Sequence, residues 1–246
     1  EKKRVVLVTG ATGGLGTAMC KKLFDDGYMV VGNYHNEDKA IAWKDKLKKE
    51  GYPIEAYYAD VADYDSCGKM IEQITNDIGN IEILVNNAGI TRDGAFRKMT
   101  YENWRAVIST NLDSVFNCTR HLINSMIDNG WGRIINISSV NGQRGQFGQA
   151  NYSAAKAGMH GFTKTLAMEV ANKGITVNTI SPGYIGTKMV TAIPKEVLDS
   201  KILPQIPVSR LGKPEEVAGL VAYLASEEAA FVTGANISIN GGQHMY

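Results

Sequence analysis

The sequence is short of cysteine, and its few cysteines form no pattern. Cys20, Cys67 and Cys118 are odd in number and widely spaced, without a Cys-x-x-Cys pair. A disulfide framework needs many closely spaced cysteines, so this distribution excludes one. We therefore expect reduced thiols in a cytoplasmic protein, and we expect no metal site.

Charge of one sign and long hydrophobic runs are also missing. The chain has 26 Lys and Arg against 25 Asp and Glu, so its formal net charge is only +1. Apolar runs all end well short of the roughly 18 residues that a membrane span needs, and no charged-then-apolar leader opens the sequence. This composition offers no electrostatic case for nucleic acid or a membrane surface, and we expect neither partner.

What the sequence has is an alternation of short β-branched runs with amphipathic helical segments. Repeated βα units predict a doubly wound, Rossmann-like α/β fold, with about seven parallel strands and helices on both faces. No linker or repeat divides residues 1–246, so we expect one domain. A proline-containing insert at 184–207 is expected to form short helices over a site. The predicted strands are 4–9, 28–33, 54–59, 81–85, 133–138, 175–180 and 236–240, and the main helices are 15–24, 38–50, 63–78, about 100–128, one from 151 and one from 214.

A serine, a tyrosine and a lysine form the candidate catalytic group. Tyr152 and Lys156 stand one turn apart on a predicted helix, and Ser139 follows an apolar strand thirteen residues upstream. A phenol with a pKa of about 10 needs a nearby cation before it can exchange protons at neutral pH. Lys156 can be that cation, although a lone Tyr-x-x-x-Lys is more often a surface pair.

Glycines follow the first predicted strand directly. In the run Thr9-Gly10-Ala11-Thr12-Gly13-Gly14-Leu15-Gly16, the glycines Gly10, Gly14 and Gly16 open a helix. Glycines there let backbone N–H groups approach a pyrophosphate at the helix N-terminus. The sequence therefore predicts a dinucleotide site, with the spacing G-x-x-x-G-x-G.

These motifs together resemble the short-chain dehydrogenase/reductase family over essentially the whole chain. The resemblance implies hydride transfer between a nicotinamide and a carbonyl or alcohol carbon. It implies that Tyr152 donates the proton, that Ser139 also binds the substrate oxygen, that Lys156 lowers the pKa of Tyr152 and binds the ribose, and that Asn111 anchors a water. The implied cofactor contacts are Gly10, Thr12, Gly14, Leu15, Gly16, Asn33, Asp60, Val61, Asn87, Ala88, Gly89, Tyr152, Lys156, Pro182, Gly183, Ile185 and Thr187.

The end of the second strand bears on which nicotinamide cofactor is used. An acid there selects NAD, because it binds the ribose 2′-hydroxyl and repels a 2′-phosphate. The sequence reads Gly32-Asn33-Tyr34-His35-Asn36 and has no acid, which favours NADPH over NADH. The glycine loop has no basic residue, although His35 or Lys39 could compensate in part.

Three further segments, at 89–93, 141–149 and 240–245, resemble one branch of the family, the acetoacetyl-CoA reductases of polyhydroxybutyrate synthesis. This implies NADPH-dependent reduction of acetoacetyl-CoA to (R)-3-hydroxybutanoyl-CoA. The implied substrate contacts are Asp93, Lys98, Ser139, Gln146, Phe147, Gln149, Tyr152 and Tyr184, with Arg92, Arg97, Lys98 and Arg144 as a basic rim for the phosphates of CoA.

Two alternatives stay open. A 3-oxoacyl-acyl-carrier-protein reductase shares much of the pattern, and a basic rim suits an acidic carrier protein equally well. A catalytically silent nucleotide-binding scaffold is the alternative of another class. The resemblance also implies a homotetramer, with contacts through helix 100–128, the Tyr152 helix and the last strand.

Overall fold

The computed structural model describes residues 3–191 and 193–245, which form a layered α/β structure around one parallel sheet. Its strands are β1 (Val5–Val8), β2 (Met29–Tyr34), β3 (Glu55–Tyr58), β4 (Ile81–Asn86), β5 (Gly132–Ile137), β6 (Ile175–Pro182) and β7 (Asn236–Ile239). They pair in the order β3-β2-β1-β4-β5-β6-β7, and every pair is parallel. The predicted fold class is confirmed.

The helices cover both faces of this sheet. They are α1 (Gly14–Asp25), α2 (Glu37–Lys49), α3 (Tyr64–Asp77), α4 (Tyr101–Ile108), α5 (Ser114–Asn129), α6 (Val140–Arg144), α7 (Ala150–Val170), α8 (Lys188–Thr191), α9 (Lys195–Val197) and α10 (Pro214–Ala225). None of them, within the described residues, has the length and hydropathy needed to cross a bilayer.

The two faces have separate apolar cores. Along β1, Val6 and Val8 pack towards α1, α2 and α10, while Val5 and Leu7 pack towards α3, α5 and α7. Because both faces are covered, alternate residues of a strand are equally apolar, and the strands read as continuous hydrophobic runs.

Local sequence fixes where the helices begin. The side chains of Asn36, Asp63 and Thr100 each accept a hydrogen bond from a backbone N–H in the first turn that follows. At the start of α10, Pro214 occupies the first turn and the Glu216 carboxylate accepts from the Lys213 N–H at 2.7 Å. The predicted start of this helix is confirmed.

The helix predicted at about 100–128 is confirmed in its extent, since α4, a π-helical turn at Ser109–Asp113 and α5 follow one another without a break. The wider hydrogen-bond ring of the π turn accommodates an extra residue. This turn contains Asn111, which is buried. The turn itself was not predicted, because apolar periodicity does not reveal a change in hydrogen-bond register.

The insert after β6 consists of short helical pieces. Besides α8 and α9 it contains a π turn, Leu198–Ile202, and a 3-10 turn, Leu203–Gln205, while residue 192 lies outside the described residues. One isolated bridge, between Ile185 and Gly212, attaches the segment to the chain that precedes α10.

Candidate active site

The sheet order places a crevice where β1 and β4 lie side by side. The chain leaves β1 towards β2 on one side, and it leaves β4 towards β5 on the other. In open α/β sheets, ligands bind outside the carboxyl ends of the strands at such a switch point. The loops that begin at Thr9 and at Asn87 lie at this edge.

The glycine loop leaves no room for side chains. Gly10 has a φ of 62°, and a Cβ there would lie 2.9 Å from the Cα of Ala88. A Cβ on Gly16 would lie 2.4 Å from the carbonyl oxygen of Gly10. Helix α1 begins after Gly13 without a side-chain cap, so its first N–H groups are available to an anion. These residues fit the pyrophosphate of a dinucleotide.

Thr9 and Asn87 tie the two loops of the crevice together. The hydroxyl of Thr9 accepts hydrogen bonds from the N–H groups of Asn87 and Ala88, both at 3.0 Å. The Asn87 amide donates both of its protons back, to the carbonyls of Thr9 and Gly10. The Oδ1 of Asn87 is therefore the side-chain atom that a ligand in the crevice would contact. Sequence reasoning missed the role of Thr9, although the residue adjoins the first glycine.

Asn33 supports the glycine loop from below. Its side chain is buried, accepts from the Gly10 N–H at 3.2 Å and donates to the carbonyls of Tyr34 and Ala59, both at 3.1 Å. The groups that face solvent after this strand are Tyr34, partly, and His35 and Asn36. The Asn33 side chain itself is turned into the protein.

Two more turns border the crevice. The Asp60 carboxylate accepts from the Ala62 N–H at 3.0 Å, and the Val61 carbonyl accepts from the Asn117 amide at 2.9 Å. Asn117, on α5, was not identified in the sequence analysis, because it lies 56 residues from Val61 along the chain. On the opposite side, a Cβ on Gly14 would lie 3.2 Å from the Thr187 side chain, so the insert touches the start of α1.

The chain leaves β6 close to the C-terminal segment. Pro182 is the last residue of the strand, the Gly183 N–H donates to the Ile239 carbonyl at 3.0 Å, and Ile185 is buried. Leu15 lies half-buried in the first turn of α1, and Thr12 is also partly covered. All of these predicted contacts lie on loops at the carboxyl edge of the sheet or in the helix that follows.

Lys156 is a buried cation without a carboxylate partner. Its side chain is 3% exposed, and its Nζ donates to the Ile137 carbonyl at 2.7 Å. None of the ion pairs among the described residues includes it. Burial lowers the pKa of Lys156 to about 7, because the charged form loses its hydration. The protein therefore places no negative charge beside this lysine, and a bound anion can supply one.

Tyr152 lies beside both Lys156 and Ser139. The Lys156 Nζ is 5.7 Å from the centre of the Tyr152 ring. Burial raises the pKa of Tyr152, hydrogen bonding by the Ser139 side chain lowers it, and the charge of Asp93 raises it again. Lys156 is about half-protonated at pH 7, since its own pKa is about 7, and the expectation that it lowers the pKa of Tyr152 stays a prediction. The phenol is therefore protonated and able to donate.

The two adjacent serines face opposite ways. Ser138 is buried, and its hydroxyl donates to the Lys156 carbonyl at 2.8 Å and lies 2.9 Å from the His160 Nε2. Ser139 begins α6 and accepts from the Asn141 N–H at 3.1 Å, with its hydroxyl towards Tyr152. This geometry favours Ser139 over Ser138 as the substrate-facing hydroxyl.

Asn111 clamps the loop after β4. Its Oδ1 accepts from the Ile90 N–H at 2.8 Å, and its Nδ2 donates to the Ile90 carbonyl at 2.9 Å. A Cβ on Gly89 would lie 3.5 Å from the Asn111 Oδ1 and 3.6 Å from the Lys156 Nζ, so this loop passes between the two side chains. The site thus brings Asn111 within reach of the buried lysine.

The candidate substrate residues divide into two groups. Gln149 donates to the Asp93 carboxylate at 2.9 Å and accepts from the Asn141 amide at 2.9 Å, which fixes one wall. By contrast, Lys98, Gln146 and Phe147 are exposed, with Phe147 88% accessible.

The basic rim is spread over three elements. Arg92, Arg97 and Lys98 are exposed on the loop before α4 and in the short turn there. Arg144 ends α6 and donates to Gln146 at 3.3 Å and to Gln205, in the insert, at 3.4 Å.

Tyr184 lies beyond β6, and among the described residues no hydrogen bond joins its side chain to Asp93 or Gln149.

Comparisons with known proteins agree with this geometry. The sequence profile described as short chain dehydrogenase matches residues 4–198. Acetoacetyl-CoA reductase of Cupriavidus necator is 55% identical over 244 residues, covering 99% of both chains. The protein of the same name from Rhizobium meliloti is 56% identical over 243 residues, covering 98% of this chain and 99% of its own. A 3-oxoacyl-acyl-carrier-protein reductase of Vibrio cholerae is 44% identical over 242 residues, covering 98% of both.

Proposed function

The chain belongs to the short-chain dehydrogenase family, and on that premise we propose that it reduces acetoacetyl-CoA to (R)-3-hydroxybutanoyl-CoA with NADPH. The observation that carries this proposal is the group formed by Ser139, Tyr152 and Lys156 beside a glycine loop built for a dinucleotide. Most of the relatives at 53–56% identity are named acetoacetyl-CoA reductase, which supports the choice of thioester, whereas the carrier-protein reductase is 44% identical.

The roles of the side chains follow from their bonds. A reduced nicotinamide, when bound, supplies the hydride that reaches the carbonyl carbon. As negative charge grows on the carbonyl oxygen, Ser139 donates a hydrogen bond to it and Tyr152 transfers its proton. The raised pKa of Tyr152 keeps this proton in place until that moment. Membership of the family further implies that Lys156 would hold the nicotinamide ribose and that Asn111 would anchor the water that returns a proton to the site.

The neutral end of β2 supports NADPH as the cofactor. Tyr34 and His35 face the position of the ribose 2′-substituent without a carboxylate, so a 2′-phosphate meets no repulsion from them. Thr12, Gly14 and Leu15 would contact the pyrophosphate. Asp60, Val61, Asn87, Ala88 and Gly89 would hold the adenosine half, and Pro182, Gly183, Ile185 and Thr187 the nicotinamide half.

The wall made by Asp93 and Gln149 supports a thioester substrate. The Gln149 amide, fixed on both sides, and the hydroxyl of Tyr184 provide hydrogen bonds that suit a thioester and the amides of pantetheine. The exposed ring of Phe147 offers apolar surface. We propose that residues 184–207 cover this substrate and that the basic rim binds the phosphates of CoA.

Assembly and setting complete the proposal. A groove of about 650 Å³ between α5 and α7 has a mixed lining, in which apolar side chains such as Phe116, Ile123, Phe162 and Leu166 lie beside polar and charged ones such as Arg120 and Glu169. Such a surface is typical of an interface between copies, and we propose a homotetramer that acts in the cytoplasm in polyhydroxybutyrate synthesis. Light scattering would then give a mass of about 107 kDa, four times that of the 26.7 kDa chain.

Initial rates decide between the thioester substrates. Reduction of acetoacetyl-CoA and of acetoacetyl-acyl-carrier protein is followed with NADPH and with NADH. We expect the highest kcat/KM for the CoA ester with NADPH. A higher value for the carrier-protein ester would move the protein to fatty-acid synthesis, and a preference for NADH would overturn the cofactor assignment.

A tyrosine variant separates an enzyme from a silent scaffold. Tyr152→Phe removes the proton donor and leaves the ring, so we expect kcat to fall about a hundredfold or more with little change in Tm. Turnover equal to that of the parent protein would refute the catalytic assignment.

A further inference from the structure

One half-buried histidine lies behind the catalytic residues, outside the roles described so far. His160 is on α7, one turn beyond Lys156, and is half-buried. Its Nε2 lies 2.9 Å from the hydroxyl of Ser138 and 3.5 Å from the hydroxyl of Ser181. It therefore contacts the carboxyl ends of two adjacent strands, β5 and β6, from the helix that carries the reactive tyrosine and lysine.

The direction of these hydrogen bonds is determined by their other partners. The Ser138 hydroxyl donates to the Lys156 carbonyl at 2.8 Å, and a carbonyl can only accept. The Ser181 hydroxyl donates to the Asn236 Oδ1 at 2.7 Å. Both serine hydroxyl protons are thus used, so the His160 Nε2 must carry a proton and donate it. Burial and the nearby charge of Lys164 lower the pKa of His160, which favours a neutral ring, and the hydrogen bonds to the two serines place its one proton on Nε2.

Three consecutive residues at the end of β5 connect this histidine to the chemistry. The Ile137 carbonyl accepts from the Lys156 Nζ at 2.7 Å, and Ser138 holds the Lys156 carbonyl. Ser139 turns to the opposite side, towards Tyr152. A displacement of Ser138 would therefore shift both the anchor of the lysine side chain and the hydroxyl that meets the substrate oxygen.

We propose that His160 is a positioning residue, which donates from Nε2 to Ser138 and so holds the strand end that places Ser139 and Lys156. This inference rests on the proposed catalytic roles of those two residues. His160 acts through Ser138 and touches neither substrate nor cofactor. Misplacement of reacting groups by about 1 Å can cost up to about a hundredfold in rate, so loss of this donor is expected to lower kcat about tenfold.

Two substitutions at this position separate donation from packing. His160→Leu keeps apolar volume and removes the donor, whereas His160→Gln keeps an N–H at the distance of Nε2. We expect the leucine variant to lose about tenfold in kcat, with KM for NADPH and thioester within about twofold, and the glutamine variant to recover most of it. His121→Leu is the matched control, because in the described part of the chain the one hydrogen bond of His121 goes to the Tyr64 carbonyl and its ring packs on the Tyr64 ring, away from the catalytic residues.

A double-mutant cycle and a spectrum complete the test. Ser138→Ala combined with His160→Leu should lower kcat no further than Ser138→Ala alone, because the serine change already removes the hydrogen bond to His160, together with the one to the Lys156 carbonyl. Long-range ¹H–¹⁵N spectra of the parent protein should show the Nε2–H tautomer for the histidine signal that disappears in His160→Leu. This readout does not depend on which substrate the protein reduces, so it stands even if the proposed substrate fails.

Several outcomes would overturn the proposal. They are parental kcat in His160→Leu, equal losses in the leucine and glutamine variants, additive losses in the cycle, or an Nδ1–H tautomer. A lower Tm with unchanged kcat would mean that His160 only stabilises the fold.

Discussion

The pKa of Lys156 predicts how affinity for the cofactor depends on pH. Burial lowers this pKa to about 7 in the free protein, so the side chain is largely neutral above that pH. A bound anionic dinucleotide favours the charged form and raises the pKa again. Binding therefore takes up a proton when the pH lies between the two values, and the dissociation constant increases by up to about tenfold per pH unit there.

The size of this pH dependence follows from how far binding raises the pKa of Lys156. Full recovery of the ordinary value of 10.5 would couple about 5 kcal/mol to binding, which is an upper limit. Between pH 7.5 and 9.5, the affinity for NADPH should then decrease by at most on the order of 50- to 100-fold. The direction of this pH dependence is fixed, because a buried lysine has a lower pKa without a counter-charge than with one.

Fluorescence of bound NADPH measures this dependence at constant ionic strength. Calorimetry in two buffers of different ionisation heat should show uptake approaching one proton at pH 8.5. In Lys156→Met, which keeps length without charge, affinity is weaker throughout and its slope with pH disappears. A constant affinity of the parent protein over this range, or an unchanged slope in the methionine variant, would refute the reasoning.

Three further substitutions test separate parts of the site. Asn33→Asp should lower the free energy of unfolding, measured in urea, by about 1–3 kcal/mol, because a carboxylate would face two backbone carbonyls. Tyr34→Asp should instead shift kcat/KM towards NADH about tenfold. The reverse pattern would contradict the orientation of this strand end. Asp93→Asn keeps an acceptor but removes a charge that raises the pKa of Tyr152, so the pH profile of alcohol oxidation should move to lower pH, and an unmoved profile would exclude that influence. Gly16→Ala places a Cβ 2.4 Å from a carbonyl oxygen, so unfolding should require about 1–3 kcal/mol less, whereas an unchanged Tm would show that the loop can relax.

The sheet was predictable because its strands are covered on both faces. Each buried strand is a run of β-branched and apolar residues bounded by turn residues, as in Val5–Val8 followed by Gly10. Their bounds in the structure differ from the prediction by only one or two residues in most cases. Helix starts with a capping side chain, such as Asp63, are equally local signals.

The rest of the site depends on contacts between distant residues. Thr9 binds the Asn87 and Ala88 backbone 78 and 79 residues away, and no local pattern encodes such a bond. The inward direction of Asn33 depends on where Gly10 lies, and the lowered pKa of Lys156 depends on its complete burial. Sequence motifs therefore identify which residue types are present, whereas charge states and orientations require the packed structure.

The π-helical turn at Ser109–Asp113 absorbs one extra residue in the helix that runs from α4 into α5. The wider turn rotates the chain about as far as a regular turn with one residue fewer, so the faces of α4 and α5 keep nearly the relation of one continuous helix. Removing Thr110 could therefore restore regular helical bonding while α4 still meets α7 and α5 still meets α3. The number of residues in this segment therefore bears on the place of Asn111 and its bonds to Ile90 more than on the packing of the two helices.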